Sequence, residues 1–272
     1  MPSGTTEARL RLLGDPSGQQ SAEYWNEWFD AVCYADAEVK DVKGDGERQS
    51  FEWYCDGHEI SRVIERLKET LLERTDDEHI KKVIHPGSGN SFVPLILAEY
   101  FQPATSKHVV VDISDVALEK VQAFHVSEME SNDFHAELEY AVANILQPPL
   151  PYPSGSFDIW LDKGLLDALF SGKDPVQDSI QSKTMFGEAN RILCDGGMAL
   201  IISLGESHSL KLVLENWKED KTWSRELEIF ELVPTSGEML PFAFVLRKSA
   251  DDSCSSGGNG INSTREIVLH KL

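Results

Sequence analysis

The run Val83-Ile84-His85-Pro86-Gly87-Ser88-Gly89-Asn90-Ser91 joins an apolar segment to a Gly-x-Gly turn that opens a helix. Glycine at both turn positions lets the backbone bend sharply and lets a ligand lie against the main chain at a strand's end. Downstream, Val109-Val110-Val111-Asp112 ends a second apolar run in a carboxylate. Its distance from the turn, about 20 residues, is the separation at which an acid accepts hydrogen bonds from ribose hydroxyls. Two such features together serve the binding of a nucleoside. A third glycine, wanted after Gly89 to pack a helix against a pyrophosphate, is replaced by Phe92, which disfavours a nicotinamide dinucleotide and an oxidoreductase. An adenosyl group carried on an amino acid needs no pyrophosphate cradle, and its methionine part could run beside Gly87 to Asn90.

These residues need a frame of strands and helices. The pattern alternates from Lys81 onward: strand to His85, helix from Ser91 to Phe101, strand from His108 to Ile113, helix from Val116 to Met129. It continues with strands at Leu138 to Ala143 and Phe157 to Asp162, a helix over Val176 to Leu193 and a strand at Met198 to Leu204. Strands separated by helices imply an α/β fold, a mostly parallel sheet covered on both faces. After a helix near Ser207 to Trp217, strands are expected at Leu227 to Val233, Phe242 to Arg247 and Glu266 to Leu272, the last two pairing antiparallel. Ahead of the core, Tyr24, Trp25, Trp28, Phe29 and Val32 recur at helical spacing, and Ile60, Val63, Ile64, Leu67 and Leu71 form an apolar stripe. Residues 1–20 read as a loose arm, 21–272 as one domain with a helical lid over 21–78 and a Rossmann-like core over 79–272, and 251–263 as a flexible loop.

A chain of 272 residues, 41% apolar and 26% charged, can bury a sizeable core. No window approaches the ~20 apolar residues of a membrane span, nor does the start read as a signal peptide. A cytoplasmic chain, monomeric and without a membrane partner, is expected. Cys33, Cys55, Cys194 and Cys254 form no Cys-x-x-Cys pair, so no disulfide framework or zinc site is expected. The eight histidines form no pair at metal spacing, and no metal is expected. The formal charge of −21 repels nucleic acid and draws basic partners, although the same excess also serves solubility alone.

Strand, Asp162-Lys163-Gly164, then Leu166-Asp167-Ala168-Leu169 resembles the fourth motif of a group of seven-strand, S-adenosylmethionine-dependent methyltransferases, and Gly87-Ser88-Gly89-Asn90-Ser91 resembles their Gly-Cys-Gly-Asn-Ser. Glu23-Tyr24-Trp25, Phe51-Glu52-Trp53-Tyr54, Arg191 to Gly197 and Leu240 to Val245 are similar to further stretches of that group in the same order. The group includes enzymes that methylate lysines of translation elongation factor 1-alpha. The resemblance implies a Rossmann-like sheet with an antiparallel C-terminal strand, S-adenosylmethionine as cofactor, and a basic protein as substrate. A small-molecule methyltransferase and a non-catalytic cofactor-binding protein stand as alternatives, since a fold does not fix an acceptor.

On this reading the cofactor contacts are Tyr24, Trp53, Gly87, Ser88, Gly89, Asn90, Asp112, Ile113, Asn144, Ile145, Asp162 and Lys163. Asp162 would orient an acceptor amine or steady its charge, or else cap the helix beginning at Gly164. Asn144 stands where the group commonly has an acid and would meet an adenine amino group through its side-chain oxygen. Asn26 replaces the group's aspartate after Tyr-Trp, His85 reads as a loop residue near the pocket, and Asp167 as structural. Trp53 and Tyr54 would cover the cofactor or wall in a cationic acceptor, with core packing as the rival role for Trp53, and Trp25 would pack the first helix.

Overall fold

The computed structural model describes residues 21–30, 54–55, 57–72, 81–101, 106–132, 136–170, 173–233, 240–249 and 264–271. The expected arm over 1–20, the loop over 251–263 and Trp53 lie outside the described residues.

Strands β1 (Lys81–Pro86), β2 (Ser106–Asp112), β3 (Glu137–Val142), β4 (Phe157–Lys163), β5 (Leu193–Ser203), β6 (Trp223–Glu231), β7 (Phe242–Lys248) and β8 (Glu266–Lys271) form one sheet in the order β3-β2-β1-β4-β5-β7-β6-β8. Strand β7 runs against both neighbours, and every other pairing is parallel. Among the described residues the sheet therefore holds eight strands, one more than the family resemblance implied. Strand β8 also differs from expectation. It runs opposite to β7, as a return strand should, yet its hydrogen-bonded partner is β6, in parallel. The reason is occupancy: both edges of β7 are already taken by β5 and β6, so β6 has the free edge.

Seven helices complete the described chain: α1 (Ala22–Trp28), α2 (Gly57–Leu72), α3 (Val93–Tyr100), α4 (Asp115–Ser131), α5 (Leu165–Leu169), α6 (Pro175–Ile192) and α7 (Ser207–Glu219). Their starts follow local chemistry. Ser21, Ser114 and Asp174 accept the amides of Tyr24, Ala117 and Gln177, satisfying donors that a helix's first turn leaves unpaired.

Side-chain alternation sorts the sheet's two faces. From β5, Ala199 and Ile201 join one core with Met185, Phe186 and Ala189 of α6 and Trp217 of α7. Met198, Leu200 and Ile202 join the other with Ile60, Val63, Ile64 and Leu67 of α2. Burying each large apolar side chain contributes about 1.5–3 kcal/mol, so α2 is anchored into the core, whereas α1 packs through Trp28 and Phe29 against Ala117 of α4. Of the helices expected as a lid, α1 alone supplies side chains to the cavity described next.

Candidate functional site

The strand order turns back at β1, whose neighbours are β2 and β4. An open α/β sheet has its crevice at such a point, outside the carboxyl ends of the strands. A cavity of about 200 Å³ lies there. Its floor is the turn after β1, Gly87 to Ser91; one wall is Asp112 and Ile113 at the end of β2 with Ala143, Asn144 and Ile145 after β3. The opposite wall runs from Lys163 through Leu169, and Trp25, Phe29 and Tyr54 complete it from the N-terminal segment.

Sequence forces the turn's shape. Gly87 and Gly89 have φ of 60° and 54°, which residues with a Cβ rarely adopt. Space closes the matter: a Cβ on Gly87 would come within 2.6 Å of Leu165, and one on Gly89 within 2.9 Å of the Phe29 ring. Strand β2 holds the turn in place. Ser88 N–H donates to the Val111 carbonyl at 3.2 Å, and Gly89 N–H donates to Asp112 Oδ2 at 2.7 Å. Asp112 also accepts Ser114 N–H at 2.9 Å. Burial pushes its carboxyl pKa up, while the amides of Ser114, Gly89 and Ile113 pull it back.

Nine of the twelve anticipated contacts therefore line the cavity: Gly87, Ser88, Gly89 and Asn90, then Asp112, Ile113, Asn144, Ile145 and Lys163. Tyr24 does not; its ring packs edge-on to Trp25, and it is Trp25 that faces the cavity. Asp162 does not line it either. Its side chain is wholly buried and accepts the amides of Leu165 at 2.8 Å and Leu166 at 3.2 Å, capping α5 from beneath. Of the two roles open to Asp162 in the sequence, this geometry is the cap. Burial, then the nearby Asp167 charge, raise its pKa to about 8.

Asn144 turns its side-chain oxygen back to Leu146 N–H at 2.9 Å, so the atom expected to meet an adenine amino group already has a local partner. Asn26 donates to Asp115 Oδ1 at 2.8 Å and accepts Ser114 O–H at 2.6 Å, tying α1 to the start of α4. His85 is no loop residue: it is a buried residue of β1, its Nε2 2.9 Å from Nδ1 of His108. Burial above all, then the neighbouring His108 and His125, hold its pKa well below the ordinary value.

Residues the sequence reading left out are Phe29, Ser91, Ala143, Gly164, Leu165, Ala168 and Leu169, while Trp25 and Asp167 were assigned to packing and structure. The usable signal for Phe29 was its i, i+4 spacing from Trp25, which puts both on one face of a helix. Among the described residues no group of three or more His, Cys, Asp or Glu could hold a metal ion, and no helix is long and apolar enough to cross a membrane.

A parallel sheet with one reversed strand, opened at its switch point by a glycine turn and a strand-end acid, defines the class I S-adenosylmethionine-dependent methyltransferase fold. The family model described as "Methyltransferase domain" matches residues 77–241, more than half of the chain, which belongs to that family. Among curated relatives, the eEF1A lysine and N-terminal methyltransferase of Danio rerio is 27% identical over 278 residues, covering 93% of this chain and 35% of the relative. Its Homo sapiens counterpart is 26% identical over 238 residues, covering 84% and 28%. The chain thus spans about a third of the length of these relatives. A solved structure from Listeria monocytogenes, described as a class I S-adenosylmethionine-dependent methyltransferase, shares the fold with a TM-score of 0.53 at 11% identity, covering 93% of this chain and 73% of that one.

The methyl donor of this class, S-adenosylmethionine, suits the residues present. Asn90 is buried, and its amide nitrogen has no hydrogen-bond partner among the described residues. An unmet buried donor costs about 1–3 kcal/mol, which a ligand acceptor would relieve. Asp112 supplies an anionic acceptor on the adjoining wall.

Proposed function

We propose that this protein transfers the methyl group of S-adenosylmethionine to a lysine of a basic protein, elongation factor 1-alpha being the first candidate. The observation that carries the cofactor half is the unpartnered Asn90 amide in a cavity that Asp112 also lines. Bound there, the cofactor supplies an electrophilic methyl on a sulfonium. Asp112 would accept the ribose hydroxyls, the Gly87–Asn90 turn would run beside the amino-acid part, and Asn144 with Ile145 would border the base. Tyr24 would act through Trp25, which it packs against, and Asp162 by holding the Leu165–Leu169 wall. Lys163 would face the cofactor from that wall; Trp53 stays a proposed cover on sequence grounds.

Methyl transfer from a sulfonium is an in-line displacement, so positioning does most of the work. The protein's part is to seat the donor against the turn, exclude water with Trp25 and Phe29, and align the acceptor along the Lys163–Leu169 wall. The acceptor half rests on the names of the curated relatives and on the charge of −21, which favours a basic partner. A single catalytic domain over 21–272, acting as a monomer in the cytoplasm, completes the proposal.

Two measurements test it. Calorimetric titration should give micromolar binding of S-adenosylmethionine and S-adenosylhomocysteine and none of NADH; absence of binding would remove the cofactor site. Incubation of elongation factor 1-alpha with the unlabelled cofactor should add about 14 mass units per methyl to a lysine peptide, and methyl-labelled cofactor should place its label on that peptide. Label that stays off protein and enters small metabolites would move the acceptor to that class.

A further inference from the structure

Among the described residues, Tyr54 is the only non-glycine residue with a left-handed backbone, at φ 69°. Such a conformation costs on the order of 1–3 kcal/mol and persists where the surroundings require it. Its ring is pressed to the cavity wall: a Cβ on Gly164 would meet Tyr54 Cε2 at 3.2 Å. The phenol faces the Asp167 side chain, which acts on it by its charge and as a hydrogen-bond acceptor, and Asp167 also lines the cavity.

Asp167 is firmly held. It accepts Ser203 O–H at 2.8 Å, Ser209 O–H at 2.5 Å and Leu204 N–H at 3.1 Å, which ties α5 to the end of β5 and the start of α7. Asp167 oxygens act as acceptors towards these three groups, so towards Tyr54 too the phenol O–H is the donor. With its proton committed, the phenol oxygen has only lone pairs to offer a third group. Burial first, then the charges of Asp167, Asp162 and Glu206, push the Tyr54 pKa far above its ordinary value. The field that opposes a phenolate favours a cation.

Resting on the methyltransferase reading above, we propose that Tyr54, oriented by Asp167, receives the acceptor and makes it an amine: the phenol oxygen accepts an N–H, while Asp167 and Glu206 favour the positive charge. The amine arrives as an ammonium and gives one proton to water. Its nitrogen lone pair then forms the N–CH3 bond as the CH3–S bond breaks, with sulfur keeping the bonding pair as a neutral thioether. The positive charge passes to nitrogen, which releases a second proton to water. Charge that moves from sulfur towards the carboxylates is stabilised more in the transition state than before it. An alcohol of equal length presents no cation to this field.

Saturation-transfer NMR with n-butylamine and n-butanol, on the complex with S-adenosylhomocysteine, tests this without turnover. The wild-type chain should prefer the amine by about tenfold, the equivalent of one hydrogen bond to a charged group. Tyr54→Phe keeps the ring against Gly164 and should abolish most of that preference when both ligands are compared at saturating S-adenosylhomocysteine. Glu206→Gln, at an exposed position, should reduce the preference by a smaller factor. No preference in the wild type, or a preference that survives Tyr54→Phe, would overturn the assignment. Failure to methylate elongation factor 1-alpha would instead count against the proposed substrate, because the amine comparison needs no protein acceptor.

Discussion

Asp112 Oδ2 sits 2.7 Å from the amide nitrogen of Gly89, so the acid that ends β2 also holds the glycine turn that follows β1. One carboxylate thereby shapes the cavity floor and forms part of its wall. Asp112→Ala should weaken S-adenosylhomocysteine binding by at least about tenfold, the loss of one charge-assisted hydrogen bond. Asp112→Asn should fall between the two, because an amide oxygen can still accept from Gly89. Calorimetric titration measures both; wild-type affinity in the alanine variant would take Asp112 out of the site.

Gly89→Ala separates conformation from space. Its φ of 54° strains any side chain by about 1–2 kcal/mol, and its Cβ would press on the Phe29 ring. Combining it with Phe29→Leu should recover part of the lost cofactor affinity, since the contact is relieved and the strain stays. A double variant no better than the sum of its parts would show that α1 does not press on the turn.

Asp162 makes its prediction through pH. Its folded pKa of about 8 lies above the ordinary carboxyl value, so the folded chain holds this proton more tightly than the unfolded one. That contribution is complete below about pH 4 and is lost as pH rises through about 8. Asp162→Asn mimics the protonated side chain and should gain stability relative to wild type between pH 6 and 9. Asp162→Ala leaves the amides of Leu165 and Leu166 without their cap and should cost about 1–2 kcal/mol at pH 6. Denaturant midpoints across that range decide it; an Asn variant that tracks wild type would mean the carboxyl titrates normally.

Buried histidines predict the opposite slope. His125 Nε2–H donates to the Ser91 carbonyl at 3.2 Å and Nδ1 accepts Tyr140 O–H at 2.7 Å, a neutral tautomer in which both nitrogens are used. Burial lowers its pKa to about 4 and that of His108 to about 3. The unfolded chain takes up these protons near pH 6.5, so stability is complete above that value and falls as pH drops towards 4. Each proton is worth about 1.4 kcal/mol per pH unit. Subtracting the profile of His125→Gln from that of wild type isolates the residue, because Asp162 contributes to both; identical profiles would refute it.

How much of this was legible follows from where the information lies along the chain. Gly87, Gly89 and Asp112 could be read directly because strand, turn and helix succeed one another locally, and a glycine turn after an apolar run has few structural meanings. The apolar runs of β4 and β5 likewise announced buried strands. Tyr24 and Trp25 were exchanged because a single short helix does not reveal which side will meet its neighbour. That choice was made by Asn26, whose bonds to Ser114 and Asp115 reach across the chain to α4.

Sequence alone determined what is governed by backbone chemistry within a few residues: the glycine turn, the acid at a strand's end, the serine caps and the helix–strand order. Tertiary structure decided what depends on competition among distant groups. Asp162 turned to the α5 amides because burial penalises a bare charge and local donors were within reach. His85 joined His108 once β1 and β2 lay side by side, β8 took the only edge that the β5–β7–β6 pairing had left, and Tyr54 met Asp167 from more than a hundred residues away. Such contacts exist only after the sheet has brought its strands together, because distance in the fold is not encoded by spacing along the chain.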